Sequence, residues 1–293
     1  MSFIPKRALA ALVATAVTGV LAAPATAAEE KKINIGWTAW SDAEAVTKLA
    51  AKLMEDRLGY DVELTLADIG PQYQGVENGD LDLMMMSWLP DTHGDYYKKA
   101  AGKIIDLGPI YTGAKLGWVV PNFIPEDQLK SLADLKKPEV AEKLDSKIQG
   151  IDPGAGLMRL SDEAIETYGL DYELVSASGA AMTAALDRAI KREEWIVVTG
   201  WSPHWMFGAY DLRYLDDPEG ALGGAERVHA IARMGLDREQ PEAFAFLSRF
   251  NIPLAELEAM MAEANETSYE AAVDNYIKNH PARVEYWVTG KIG

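Results

Sequence analysis

The sequence predicts an α/β protein of two lobes, each with a central, mostly parallel sheet flanked by helices, and a ligand cleft between the lobes. Three observations predict this class. The first two are that strands alternate with helices along the chain and that the alternation occurs in two separate series. The third is size, because 293 residues that are 48% hydrophobic can bury a large core in one or two domains. We assign residues 29–116 plus 234–293 to lobe 1 and residues 117–233 to lobe 2.

The first segment has the pattern of an export signal. Lys6 and Arg7 form a short basic start, the apolar run ALAALVATAVTGVLA follows, and APATAA supplies the small residues of a cleavage site. The apolar run is short for a membrane span, which needs roughly 20 such residues. We therefore expect residues 1–28 to be a cleaved signal peptide and the mature protein to be periplasmic.

The composition excludes several classes of function. The chain has no cysteine, which excludes disulfides, thiol nucleophiles and thiolate metal sites. Its formal net charge of −17 repels nucleic acid and anionic lipid, so neither is an expected partner. The histidines show no metal-ligand spacing such as HExxH, and no G-x-S-x-G nucleophile motif is present. We expect a monomeric binding protein without metal or cofactor, and not an enzyme.

The first series has a βαβαβ pattern, which predicts a parallel sheet with helices on its faces. Its elements in order are the strand KINIGWTA, a helix over 41–58, the strand DVELTLAD, a short helix over 73–78 and the strand DLDLMMMSW.

The second series begins after the segment AKLGWVVP. Its elements in order are the strand SKIQGID, the helix GLMRLSDEAIETYG, the strand YELVSA, a helix over 180–191 and the strand EWIVVTG. RVHAIARMGL then reads as an extended return to the first series, and the chain from about residue 241 is mostly helical. This out-and-back path predicts the two lobes.

Four tryptophans lie at or just beyond the carboxyl ends of predicted strands. Trp40 follows the first strand, Trp88 ends the third, and Trp201 and Trp205 follow the last strand of the second series. Ligands of open α/β sheets bind beyond the carboxyl ends of the strands, so closing the lobes is expected to bring these rings together. Indole faces attract cations, and quaternary ammonium groups above all. We therefore predict a tryptophan cage for a small methylated onium compound.

The other tryptophans are expected to have different roles. Trp37, Trp195 and Trp287 lie in or beside apolar segments, which is typical of core packing. Trp118, in the segment KLGWVVP, is equally compatible with the core and with the cage.

The start of the first helix is a candidate partner for an anionic end of the ligand. Ser41 and Glu44 have the spacing of a capping box, with Ser41 as the expected N-cap. Free amides at a helix start bind anions, so the amides of Ala43 and Glu44 are candidates to hold a carboxylate beside Trp40. An ordinary capped helix explains the same pattern equally well.

Two further features are candidates for the same role. The glycine-rich turn DPGAGLM places the amides of Gly156 and Leu157 at the start of a helix in the other lobe. His93 is a candidate to donate a hydrogen bond to a ligand oxygen, although a histidine near a turn is also typical of polar surface.

Several long segments resemble the glycine betaine-binding proteins of osmoprotectant ABC transporters. They are INIGWTAWSDAEAVTKLA, DIGPQYQGVENGDLDLMMMSWLPDTHGDYY, KLGWVVP and EWIVVTGWSPHWMFGAYDLRYLDDP. The resemblance spans nearly the whole mature chain. It implies a type II periplasmic-binding fold, an aromatic box for a trimethylammonium head, and delivery to an inner-membrane permease with its ATPase. By position, Trp88 and one of Trp201 and Trp205 match box residues, and Trp40 with the amides after it matches the ligand-facing first turn.

Two positions depart from the family pattern. Glu44 stands near the expected carboxylate site, and Ile252 replaces a tryptophan that the family carries after RFN, where Trp40 or Trp118 is a candidate substitute. Trimethylamine N-oxide, choline, carnitine, proline betaine and dimethylsulfoniopropionate are therefore alternative ligands. A sugar-binding protein of the same architecture and a secreted hydrolase are the competing classes.

Overall fold

The computed structural model describes residues 1–2 and 31–292, and the body of the protein is one compact unit that begins at Lys31. The expected signal peptide, residues 1–28, lies outside the described residues apart from the first two. Within the described ranges, every helix is too short or too polar to cross a membrane.

Nine strands of the described residues form a single mixed sheet. In chain order they are β1 (Lys32–Trp37), β2 (Asp61–Leu66), β3 (Leu83–Leu89), β4 (Ile104–Pro121), β5 (Lys147–Gln149), β6 (Glu173–Val175), β7 (Val198–Ser202), β8 (Leu212–Tyr214) and β9 (Ala225–Arg233). Their order in the sheet is β2-β1-β3-β9-β4-β7-β5-β6, with β8 paired to β4.

The two predicted parallel series are present, but they belong to one continuous sheet. β1 pairs in parallel with β2 and β3, and β5 pairs in parallel with β6 and β7. The antiparallel strands β9 and β4 join these sets, because β9 pairs with β3 and β4, and β4 continues to pair with β7. The extended return of RVHAIARMGL to the first series is thereby confirmed. We call β1–β3 with their helices the first half, and β5–β7 with theirs the second half.

Twelve helices of the described residues cover the sheet. They are α1 (Ser41–Leu53), α2 (Ile69–Asn78), α3 (Gly94–Ala100), α4 (Pro138–Lys143), α5 (Gly156–Tyr168), α6 (Gly179–Arg192), α7 (Met206–Ala209), α8 (Leu236–Glu239), α9 (Pro241–Arg249), α10 (Leu254–Glu266), α11 (Tyr269–Asn279) and α12 (Pro281–Thr289). A π-helical segment, Met54–Leu58, extends α1, and a 3-10 helix spans Leu132–Lys136.

The structure differs from the predicted elements mainly at their ends. α2 begins at Ile69 instead of residue 73, because Ile69 is buried and the helix covers the sheet from its first turn. β7 begins at Val198, so the segment EWIV that precedes it is not part of the strand. α12 lies in the part of the chain that was expected to be mostly helical, and Pro281 at its first position is suited to start a helix because proline lacks an amide hydrogen to leave unpaired.

The start of α5 is fixed by local sequence and by one buried tryptophan. Leu157, Leu160 and Ala164 recur at helical spacing and are buried, and the helix ends before Gly169, whose φ of 56° is left-handed. Trp118 of β4 is completely buried, and its Nε1 donates a hydrogen bond to Ser161 Oγ at 2.9 Å. Trp118 is therefore a core residue that ties α5 to the sheet.

The other tryptophans expected in the core differ in their burial. Trp287 is 1% exposed, as expected of a core residue. Trp37 and Trp195 are only partly buried, and the Lys143 ammonium lies over the Trp195 ring at 4.1 Å from its centroid. These two rings therefore pack at the margin of the core.

Candidate ligand-binding site

A small cavity lies where the first and second halves meet. It is lined by Trp40, Trp88, Thr92, His93, Leu116, Ile151, Ala155, Gly156, Leu157 and Trp201. Both halves contribute, since Trp40 and Trp88 belong to the first half and Trp201 to the second. The lining is mostly apolar, which suits a weakly hydrated group better than a heavily hydroxylated one.

Three indole rings form the aromatic part of the lining. Trp40, Trp88 and Trp201 are each less than a tenth exposed. The Trp40 and Trp201 ring centroids are 6.5 Å apart with an interplanar angle of 58°, and His93 stacks on Trp40 at 6.0 Å. Rings that follow or belong to three separate strands therefore line one cavity.

Of the two tryptophans in TGWSPHW, Trp201 is the one that lines the cavity. Trp201 is part of β7, whereas Trp205 is the N-cap of α7 and lies outside the lining. The Trp205 ring packs near His204 at 5.3 Å and Tyr210 at 6.1 Å between centroids. The sequence left this choice open because both residues follow the same apolar run.

The third ring of the lining is that of Trp40, and neither position 118 nor position 252 contributes a ring. Trp118 lies in the core, as described above. Ile252 is 1% exposed, its amide donates to the Ile110 carbonyl at 2.8 Å, and it does not line the cavity.

The Trp201 ring is held from behind by a buried carboxylate that sequence reasoning missed. Trp201 Nε1 donates to Asp42 Oδ1 at 2.9 Å, and the Tyr111 hydroxyl donates to Asp42 Oδ2. Asp42 is completely buried, and this burial raises the pKa of its carboxyl group against the opposing effect of these hydrogen bonds. Asp42 thus fixes the orientation of a cavity wall without lining the cavity itself.

The first turn of α1 differs from the prediction. Trp40, not Ser41, is the N-cap, so the predicted capping by Ser41 is wrong. The Glu44 amide donates to the Trp40 carbonyl at 2.9 Å, and the Ala43 amide is near enough to the Asp42 carboxyl group to lower its pKa. The Glu44 amide is therefore occupied within the protein, and neither Ala43 nor Glu44 lines the cavity.

His93 presents an unpaired hydrogen-bond donor at the cavity. The Trp88 amide donates to His93 Nδ1 at 3.0 Å, so the neutral ring carries its proton on Nε2. Burial lowers the pKa of His93 to about 3, which keeps the ring neutral at physiological pH. Nε2 has no hydrogen-bond partner among the described residues, although His93 is completely buried.

The first turn of α5 meets the same cavity from the second half. The amides of Gly156 and Leu157 precede the first internal hydrogen bonds of α5, and they have no acceptor in the described part of the chain. Gly156, Leu157 and His93 all line the cavity. The site therefore combines three indole rings with three free N–H donors, which complement a cation and an anion, respectively.

The described residues contain no cluster of three or more histidine, cysteine, aspartate or glutamate side chains that is positioned to hold a metal ion. The one hydroxyl in the lining, that of Thr92, donates to Glu226 Oε1 at 2.6 Å. The hydroxyl of the lining is thus already paired within the protein.

Comparison with known proteins assigns the family. Residues 31–279 match the family model OpuAC, the substrate binding domain of the ABC-type glycine betaine transport system. The chain belongs to this family. As an OpuAC-family protein, it is 41% identical over 158 residues to the glycine betaine/carnitine transport binding protein GbuC of Listeria monocytogenes. That alignment covers 53% of each chain, so the chain matches about half the length of this curated relative.

Solved structures of similar proteins confirm the predicted fold. Lactococcal OpuAC, in its closed conformation with glycine betaine, is 38% identical and has a TM-score of 0.82 over 88% of this chain and all of that one. A choline-binding protein of an ABC transporter with choline bound is 25% identical, with a TM-score of 0.81 over 89% of this chain and 92% of that one. An unliganded, semi-closed structure of a choline-binding protein has a TM-score of 0.77. This OpuAC-family chain therefore has the type II periplasmic-binding fold. By TM-score it is more similar to the choline-bound structure than to the unliganded, semi-closed one.

The stability of the Asp42→Asn variant, measured relative to wild type, is expected to increase as the pH rises. The folded-state pKa of Asp42 is above its ordinary value of 3.8, so its contribution is complete below that pH and is lost as pH rises through the folded-state pKa. The free energy of unfolding of wild type minus that of Asp42→Asn should therefore decrease above pH 3.8 in urea titrations. His93 and His204, whose pKa values burial lowers to about 3, are common to both proteins and cancel. A difference independent of pH would contradict the assignment.

Proposed function

We propose that the protein is the substrate-binding component of an ABC importer for a small quaternary ammonium osmolyte of the glycine betaine type. The observation that carries the proposal is that Trp40, Trp88 and Trp201 line one cavity together with free N–H donors. The proposal includes a periplasmic location after cleavage of residues 1–28, a monomeric state, and delivery to an inner-membrane permease with its ATPase.

The three rings need the hydrogen bonds to the anionic end of the ligand to reach a useful affinity. Each cation–π contact contributes roughly 0.5 to 2 kcal/mol, with the upper end reached where water is excluded. Micromolar binding requires about −8 kcal/mol, so the rings and the hydrogen bonds to the anionic end together reach it after the cost of closure.

The donors favour a zwitterion among the possible onium ligands. His93 Nε2 and the amides of Gly156 and Leu157 can all donate to a carboxylate, as in glycine betaine. Choline has no anionic group to accept these hydrogen bonds, and burying them unpaired costs affinity. Trimethylamine N-oxide and dimethylsulfoniopropionate, which also carry an acceptor, remain the alternative ligands that a titration must compare.

The competing classes have less support. A sugar-binding site needs several polar side chains around its aromatic rings, whereas Thr92 and His93 are the polar side chains of this lining. A hydrolase needs a nucleophile paired with a base in the cavity. The one hydroxyl of the lining, that of Thr92, donates to Glu226 Oε1 and does not pair with either ring nitrogen of His93. The neighbouring structures that hold glycine betaine and choline support the onium class.

Calorimetric titration of the chain from Glu29 tests the ligand class, and Trp201 and Trp205 provide a matched pair of variants. We expect glycine betaine to bind, maltose not to bind, and Trp201→Ala to weaken glycine betaine binding by about 2 kcal/mol, or about 30-fold. Trp205→Ala should leave the affinity unchanged because that ring lies outside the cavity. Equal losses in the two variants would contradict the assignment of the cage wall, and absence of binding to every onium ligand would refute the function.

His93→Ala is expected to distinguish between ligands. Loss of the Nε2 donor should weaken glycine betaine binding by about 1.5–3 kcal/mol, the range of hydrogen bonds to charged groups. Choline binding should weaken much less, because choline has no carboxylate. Titration of both ligands into wild type and His93→Ala gives, for each protein, the ratio of the two dissociation constants. Comparing these ratios removes any effect that a displacement of Trp88 has on both ligands alike. An unchanged ratio would exclude a contact between His93 and the carboxylate.

A further inference from the structure

The turn that follows β3 lies directly against the first turn of α5. A Cβ atom built on Gly156 would lie 2.1 Å from the Thr92 carbonyl oxygen and 2.7 Å from Thr92 Cγ2. Contacts of Cβ atoms shorter than 3.0 Å are essentially never observed. The φ angle of Gly156 is not positive, so the approach of Thr92, and not the backbone conformation, is what requires glycine here.

Thr92 cannot easily move away from Gly156. Its amide donates to Glu226 Oε1 at 2.9 Å and its hydroxyl donates to the same oxygen at 2.6 Å. Glu226 is 1% exposed and belongs to β9, a strand inside the sheet. The nearest obstacle to a side chain at position 156 is therefore a backbone oxygen anchored to the sheet, not a flexible side-chain end.

Further contacts cross between the halves at the same place. Arg159, one turn along α5, donates from Nη2 to the Asp91 carbonyl at 3.0 Å and to the Thr92 carbonyl at 3.5 Å. The Tyr96 hydroxyl donates to the Gly154 carbonyl at 3.2 Å. We call this set the seam. It consists of Asp91, Thr92 and Tyr96 from the first half, and Gly154, Gly156 and Arg159 from the second.

We propose that Gly156 permits the two halves to close, and that the seam is the latch that holds the cavity shut. The proposal rests on the proposed binding function, since closure is meaningful only for a site that opens to admit a ligand. The latch adjoins the donors for the anionic end, because His93 follows Thr92 and the Gly156 amide belongs to the seam. A methyl group at position 156 would hold the halves apart and separate His93 from the α5 amides, without disturbing the core of either half.

Two neighbouring glycines allow a matched test. Gly156→Ala introduces the obstructing Cβ, whereas Gly154→Ala introduces a Cβ with no atom within 4 Å, and neither glycine has a positive φ. The chain has no cysteine, so two introduced cysteines give a specifically spin-labelled pair. Lys191→Cys is at an exposed position of α6 in the second half. Lys278→Cys is at an exposed position of α11, which is joined to α1 of the first half by the ion pair between Lys48 and Glu270. Pulsed electron paramagnetic resonance then measures the distance between the halves, with and without glycine betaine.

Wild type and Gly154→Ala are expected to share one short distance at saturating glycine betaine. Gly156→Ala should remain at a longer distance, and its dissociation constant should increase on the order of tenfold or more, as overpacking by a methyl group implies. Circular dichroism and thermal unfolding establish that each variant is folded. A Gly156→Ala protein that reaches the wild-type short distance would overturn the proposal, even if its affinity is reduced.

Arg159→Ala tests the latch without adding any obstacle. It removes the donors to the Asp91 and Thr92 carbonyls, so we expect the closed distance to persist at saturation while glycine betaine dissociates several-fold faster in stopped-flow measurements. Glu163→Ala is its control, because it removes the partner of Arg159 at 2.8 Å but leaves the seam contacts. Equal dissociation rates for Arg159→Ala and Glu163→Ala would overturn the role of the seam.

The latch and the binding function fail in different ways. If wild type binds no onium ligand, the binding function is refuted, and the ligand-free distances still test the seam. If the seam holds the halves together, the short distance should be more populated in ligand-free wild type and Gly154→Ala than in ligand-free Gly156→Ala. Identical ligand-free and ligand-bound distances in all three proteins would refute the latch, whichever ligand binds.

Discussion

The hydrogen bond between Trp201 Nε1 and the buried carboxylate of Asp42 is the interaction on which the geometry of the site depends. Asp42 lies in the first turn of α1 and Trp201 in β7, so the bond joins the two halves behind the rings. Burying an unpaired carboxylate is costly, and the donors from Trp201 and Tyr111 offset part of that cost. Any movement that separates Trp201 from Asp42 leaves this carboxylate with one donor fewer. The position of the ring is therefore coupled to the arrangement of the halves.

The features that the sequence predicted well are those set by the backbone alone. The alternation of strands and helices determined the parallel series, and the rule that ligands bind beyond strand ends singled out Trp40, Trp88 and Trp201. Trp205 was selected with them because the pattern could not define where β7 ends. The strand extends to Ser202, which makes Trp201 part of the sheet and leaves Trp205 to cap α7.

The features that the sequence did not predict depend on residues far apart in the chain. Asp42 reads locally as an acidic residue at a helix start, and its partners are 69 and 159 residues away. The same carboxyl group lies beside the Ala43 amide, which the local pattern offered as a candidate for binding a ligand. The requirement for glycine at position 156 likewise arises from Thr92 of the other half, and not from the turn in which Gly156 lies.

Burial of the three rings determines how strongly dissolved salt can affect their attraction for a cation. Mobile ions screen charges on a surface over about 8 Å at physiological ionic strength, but they screen buried groups much less. A cation held against Trp40, Trp88 and Trp201 is attracted by rings that are almost inaccessible to dissolved salt. Concentrated brine would therefore weaken the long-range field of the acidic exterior, whose formal charge is −17, while leaving the attraction inside the cavity intact. Under the proposed function, the affinity for the cation would therefore depend little on the ionic strength of the medium.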